Sequence, residues 1–201
     1  IKECDWSSDV CSSDLANKVF IFEMPYYEKG NLKNYANQIE LSEEKIISFM
    51  KDIAHALDEM HSKNICHLDV KPENFLVDDN ENLVLADFGE IKNFNDPISS
   101  GGGGDAVYAA LEVSEGVDAN AKLDIASFGF TMLEVVSNKK LPTASITEFA
   151  YIRKDKNYVA KQYFDKIKLS ENIKKLILDM IAQNPENRPT IEEILQKLEN
   201  K

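Results

Sequence analysis

Apolar residues recur at three- and four-residue spacing through Ile46, Met50, Ile53, Leu57 and Met60. That period gathers them on one face of a helix. Ser42 can cap its start, the pattern runs to about Lys63, and Asn64 can close it in the left-handed conformation. Val19–Met24 reads instead as a short buried strand, stopped by Pro25. The apolar triplets Phe75–Val77 and Leu83–Leu85 flank the polar run Asp78–Asn82, which predicts a hairpin. Leu123–Phe130 opens an apolar helix reaching about Ser137. Ser170–Ala182 and Thr190–Leu198 are amphipathic helices, the second with Thr190 and Glu193 placed for a capping box. Glu90–Ala109 is glycine-rich and poorly patterned, and its Ser99–Asp105 stretch is expected to be mobile. The pattern predicts an α+β protein whose body is mainly helical.

The first residues stand apart from this pattern. Asp5–Leu15 has neither helical nor strand periodicity and matches, residue for residue, the translation of a short-read sequencing adapter. Ile1–Leu15 is therefore expected to be a non-native scar. Setting it aside moves the formal net charge from −12 to −9, since the stretch holds Lys2 against Glu3, Asp5, Asp9 and Asp14. An acidic surface argues against nucleic acid as a partner. Cys66 becomes the lone native cysteine, which excludes a disulfide framework and predicts an intracellular site, nucleus or cytoplasm. No apolar run is long enough to span a membrane. Residues 16–201 are long enough for one core, and no repeat or linker divides them.

The candidate chemistry is concentrated in His67-Leu68-Asp69-Val70-Lys71-Pro72-Glu73-Asn74, with Asp87-Phe88-Gly89 beginning thirteen residues after Asn74. An Asp, a Lys two residues on and an Asn five residues on can project from one tight loop towards one centre. Asp87 arrives on the far side of the hairpin. Together they suit phosphoryl transfer: a carboxylate for the attacking hydroxyl, a cation for the transferring charge, and an amide with a carboxylate for Mg²⁺. His55 and His61, on the first long helix, read as structural or exposed, because no ligand recurs at metal spacing. His67 reads as a packed scaffold residue, Phe88 as packing, and Gly89 as freedom for the backbone to reverse.

These two motifs, in this order, resemble the catalytic loop and metal-binding triplet of protein kinases. The resemblance covers residues 16–201 and implies a protein-kinase-like fold with a helical C-terminal lobe and a truncated N-terminal lobe. Residues 16–27 would be the last small-lobe strand and the hinge, and residues 28–201 the C-lobe. It implies ATP and Mg²⁺ as cofactors and a protein as substrate. Asp69 would position and deprotonate the substrate hydroxyl, Lys71 would neutralise the γ-phosphoryl group, and Asn74 and Asp87 would hold Mg²⁺. Met24 would guard the back pocket, Pro25 and Tyr27 would face adenine, and Asn31 would lie near the ribose. Glu112 would pair with Arg188 and hold the activation segment to the helical lobe. Asp124 would accept backbone N–H groups of the catalytic loop. The Gly-rich phosphate loop, the strand lysine and the helix-C glutamate are expected upstream of Val19, so the chain alone should bind ATP poorly.

Leu68 replaces the usual Arg before the catalytic Asp, which leaves loop phosphorylation without a charge to engage. His67–Pro72, Gly104-Asp105-Ala106-Val107-Tyr108 and Thr131–Val135 with Leu141-Pro142 resemble the Wee/Myt kinases that inhibit cyclin-dependent kinases. Glu73 departs from that group and resembles general Ser/Thr kinases, where it can meet a basic substrate residue. A generic Ser/Thr kinase and a non-catalytic pseudokinase scaffold are the alternatives.

Overall fold

A computed structural model describes residues 24–100, 102–142, 154–165 and 167–199. The expected scar, Ile1–Leu15, and most of the expected strand Val19–Met24 lie outside them. Met24 itself is in coil and 51% exposed.

The body is built on α2 (Glu43–Ser62) and α3 (Ala121–Ser137), which follow the short α1 (Leu32–Ala36). Ser42 Oγ accepts the Lys45 N–H at the start of α2, and Asn64 follows it at φ +58°, as the pattern predicts. Ile46, Met50, Ile53 and Leu57 are buried along one face. That face meets α6 (Ile191–Glu199), α3 and the hairpin. α3 is buried along almost its whole length because α2 lies on one side and α5 (Glu171–Met180) on another. Gly129 permits the close crossing with the end of α5, where a Cβ would come within 2.6 Å of Ile181 Cγ2 and 2.9 Å of Met180 Cβ. The capping box of α6 forms as expected, with Thr190 N–H on Glu193 and Glu193 N–H on Thr190 Oγ1. α4 (Lys156–Tyr163) carries no clear apolar stripe and escaped the sequence pattern; Asp155 caps it by accepting the N–H groups of Asn157 and Tyr158.

The strands are short and serve as clips. β1 (Ile65–Cys66) pairs with β4 (Lys92–Asn93), and β2 (Phe75–Val77) with β3 (Leu83–Leu85) in the predicted hairpin. β5 (Pro97–Ile98) pairs with β6 (Val117–Asp118), and all three pairings are antiparallel. A second apolar cluster, smaller than the main core, gathers Cys66, Leu68, Ile98, Val113 and Leu123 under the glycine-rich segment.

The stretch Ser99–Asp105, Gly101 apart, makes several contacts with its surroundings. β5 clips its start to β6, Ser100 Oγ donates to the Ser114 carbonyl, and Gly104 packs on Asp69. Close approach, not looseness, is what glycine supplies at position 104. Asp87 takes a left-handed backbone at φ +62°, two residues before the turn at Gly89 and Glu90.

Candidate active site

The loop between β1 and β2 is fixed before any substrate is considered. Asp124, wholly buried near the start of α3, accepts the His67 N–H at 2.9 Å and the Leu68 N–H at 2.8 Å. Its Oδ2 also lies 2.9 Å from His61 Nε2. His61 is thus a structural residue of this network, a partner that spacing alone did not reveal. Thr131 Oγ1 donates to the Val70 carbonyl at 3.1 Å, a second tie from α3 to the loop.

On this base the nearly buried Asp69 carboxylate sits within a ring of donors. Lys71 Nζ lies 2.8 Å from Oδ2, and Asn74 Nδ2 donates to Oδ2 and to the Asp69 carbonyl, each at 2.8 Å. The Asp105 N–H donates to Oδ1 at 2.9 Å. Burial works to raise the Asp69 pKa, but Lys71, the Asp105 N–H and Asn74 outweigh it and hold the group below its ordinary value. Burial likewise works to lower Lys71, and the hydrogen bond and charge of Asp69 win, raising it. Both side chains are therefore ionised at neutral pH. The Asp105 contact was missed from sequence, because a main-chain donor carries no side-chain signature.

Asp87 is exposed, with Oδ1 accepting the Gly89 N–H at 3.4 Å. The preceding residue ties it to the loop: the Ala86 N–H donates to the Asn74 carbonyl at 2.8 Å, and the Ala86 carbonyl lies 3.2 Å from His67 Nε2. His67 feels the charges of both Asp69 and Asp87, so the two carboxylates share one neighbourhood. Phe88 packs edge-on to the His67 ring at 5.6 Å while staying half-exposed.

The donor set suits Mg²⁺. Asn74 commits its amide nitrogen to Asp69, so only its oxygen could serve a cation, and Asp87 offers an exposed carboxylate. Mg²⁺ takes oxygen ligands, few of them from the protein, and fills the rest with water and phosphate. No group of three or more His, Cys, Asp or Glu suited to a metal occurs among the described residues.

Of the residues expected to face the nucleotide, Met24 is half-exposed. The Tyr27 carbonyl accepts the Gly30 N–H in a turn. Asn31 serves as the N-cap of α1, its side chain accepting the Asn34 N–H at 3.0 Å. Pro25 lies in the same exposed coil as Met24.

Glu112 and Arg188 meet as expected. Arg188 Nη1 and Nη2 lie 2.5 and 2.9 Å from the two Glu112 oxygens, and the guanidinium also donates to the carbonyls of Ala182 and Lys122. A family model described as the protein kinase domain matches residues 8–198. The chain belongs to the protein kinase family. Among kinase relatives, it is 30% identical over 84% of its length to the membrane-associated tyrosine- and threonine-specific cdc2-inhibitory kinase wee-1.3 of Caenorhabditis briggsae, covering 25% of that protein. It is 29% identical over 85% of its length to the serine/threonine-protein kinase Nek6 of Oryza sativa, covering 32% of it. A protein of Acanthamoeba polyphaga mimivirus is 33% identical over 76% of the chain, which spans 55% of that relative. The chain thus spans about half the length of its curated relatives, or less.

Proposed function

We propose that the protein carrying this chain transfers the γ-phosphoryl group of ATP to a hydroxyl of a protein substrate. The observation that carries the reading is the ring of donors around Asp69: Lys71, Asn74 and the Asp105 N–H, with Asp87 tied in through Ala86. An ionised Asp69 accepts a hydrogen bond from the substrate hydroxyl and aims its oxygen at the phosphorus. Its lowered pKa makes orientation the larger part of its work, with the proton taken up late. Lys71 offsets charge on the transferring group. Asn74 and Asp87 supply oxygen ligands to Mg²⁺, which neutralises phosphate charge when bound. This reading takes residues 16–27 as strand and hinge, residues 28–201 as the helical lobe, and an intracellular setting.

Within the family, the reading extends to a Wee/Myt-like kinase acting on a cyclin-dependent kinase. Leu68, the Gly104–Tyr108 stretch and the similarity to the wee-1.3 protein support it. The assay is phosphate incorporation by the complete gene product into peptides spanning the phosphate loop of a cyclin-dependent kinase, alongside generic serine, threonine and tyrosine peptides. Asp69→Asn should lower turnover by on the order of 10²–10⁴. Incorporation into the generic peptides alone would remove the Wee/Myt reading. Equal turnover by wild type and Asp69→Asn would remove the catalytic one.

A further inference from the structure

The catalytic loop carries a carboxylate that the phosphotransfer chemistry does not use. Glu73 lies two residues beyond Lys71 in the short 3₁₀ turn Pro72–Asn74, and its charge acts on both Lys71 and Tyr108. Beside it stands Glu134, buried in α3 and reaching the same place from below. Glu134 Oε2 accepts the Tyr108 hydroxyl at 3.0 Å and the Leu141 N–H at 3.3 Å. Tyr108 follows Asp105 by three residues, so this acidic pair borders the segment that rests on Asp69. Two carboxylates so placed would ordinarily draw a basic side chain from an incoming polypeptide.

The pair is already filled from within. Lys33 reaches across from α1 and sets Nζ 2.5 Å from Glu73 Oε1 and 3.3 Å from Glu134 Oε1. The other Glu73 oxygen, Oε2, is buried and has no hydrogen-bond partner among the described residues, although the side chain as a whole is 35% exposed. Every carboxylate oxygen of the pair is thus held by an internal donor or shut away from solvent. Partial burial works to lower the Lys33 pKa, but Glu73 and Glu134 raise it, so the occupant is a full cation at neutral pH. An incoming arginine would have to displace an ammonium already holding both acids.

We propose that Lys33 is a specificity-determining residue, an internal cation that seals the Glu73–Glu134 pair and removes selection for basic residues in the protein substrate. The inference rests on the phosphotransfer reading for its meaning, and it reverses the expectation that Glu73 meets a basic substrate residue. It narrows the substrate class to hydroxyl-bearing segments whose recognition does not depend on arginine or lysine.

The test walks arginine, against glutamine, through the positions flanking serine in a labelled peptide. Binding is read by fluorescence anisotropy and phosphate incorporation in parallel, with the complete gene product. Wild type should show no arginine preference at any position. Lys33→Met keeps the apolar stem and removes the charge, and should gain an arginine preference of about fivefold to tenfold at one position. Lys33→Arg should behave as wild type, and Lys33→Met combined with Glu73→Gln should lose most of the gain. Should Lys33→Met not fold, Lys33→Gln carries the same comparison. A lysine that only braces α1 against the loop would, when replaced, lower the melting temperature and leave the arginine scan flat; that result overturns the proposal. So does a wild-type protein that already prefers arginine. A binding shift without phosphate incorporation by any variant would sustain the inference and remove the phosphotransfer reading instead.

Discussion

Gly104 and Leu68 meet so closely that a Cβ on Gly104 would lie 2.2 Å from the Leu68 carbonyl oxygen. The same Cβ would lie 2.8 Å from Asp69 Oδ1, and Gly104 sits at φ +59°, where a side chain is strained in any case. The contact delivers the Asp105 N–H to Asp69. Gly104→Ala should therefore lift the segment off the catalytic loop and take one of the donors from the carboxylate. The expected outcome is a fall in kcat of about tenfold to a hundredfold, with Asp69 titrating closer to its ordinary value. A pH–rate profile of wild type and variant checks both. An unchanged kcat would show that the Asp105 N–H contributes nothing to the site.

Leu68 stands where many kinases carry a charge, and here it is buried with Ile98, Val113 and Leu123. The segment is held down by apolar packing and by Arg188, so its docking is expected to need no phosphate. Leu68→Arg should place an unpaired guanidinium in that cluster and cost about 3–5 kcal/mol in urea unfolding. Phosphatase treatment of the wild-type protein should leave turnover unchanged. A drop after treatment would mean that some other cation receives a phosphate on this segment.

The Arg188 side chain is 2% exposed and Glu112 19%, so the pair works away from water. Arg188→Ala strands the Glu112 carboxylate and frees the carbonyls of Ala182 and Lys122, which should cost about 3–5 kcal/mol. Arg188→Lys should recover little, because an ammonium cannot bridge both Glu112 oxygens and the two carbonyls together. Equilibrium unfolding of the two variants is the measurement. A lysine variant as stable as wild type would contradict the planar-fork argument.

Where side-chain period and cap chemistry agreed, the sequence was a good guide. Ser42 and Asn64 bounded α2, Thr190 and Glu193 set the start of α6, and the two apolar triplets paired as β2 and β3. Asp69, Lys71 and Asn74 converged because fixed short spacing within one loop leaves few other arrangements. What stayed hidden depends on the main chain or on distant partners. The Asp105 N–H, the His61–Asp124 contact and the Lys33–Glu73–Glu134 cluster join residues far apart in sequence. The turn at Tyr27 and the cap made by Asn31 are local hydrogen bonds, formed within a few residues, that the expected nucleotide roles did not mention.

His67 offers the cleanest pH signature of the loop. Its Nδ1 accepts the Asp69 N–H at 3.3 Å and its Nε2 faces the Ala86 carbonyl at 3.2 Å, which fixes the neutral tautomer with the proton on Nε2. A second proton on Nδ1 would point at a donor. Burial lowers the His67 pKa from its ordinary 6.5, and Asp124, the Ala86 carbonyl, Asp69 and Asp87 oppose the shift without restoring it. Below pH 6.5 the unfolded chain takes up a proton that the folded chain refuses, so the unfolded state gains and stability falls as the solution is acidified. The loss continues until the folded pKa is reached, at no more than about 1.4 kcal/mol per pH unit. Subtracting the profile of His67→Gln isolates this ring from His55, His61 and the carboxylates. Between pH 7 and 5 the wild type should lose more stability than the variant; parallel profiles would mean that the buried ring charges as easily as a free one.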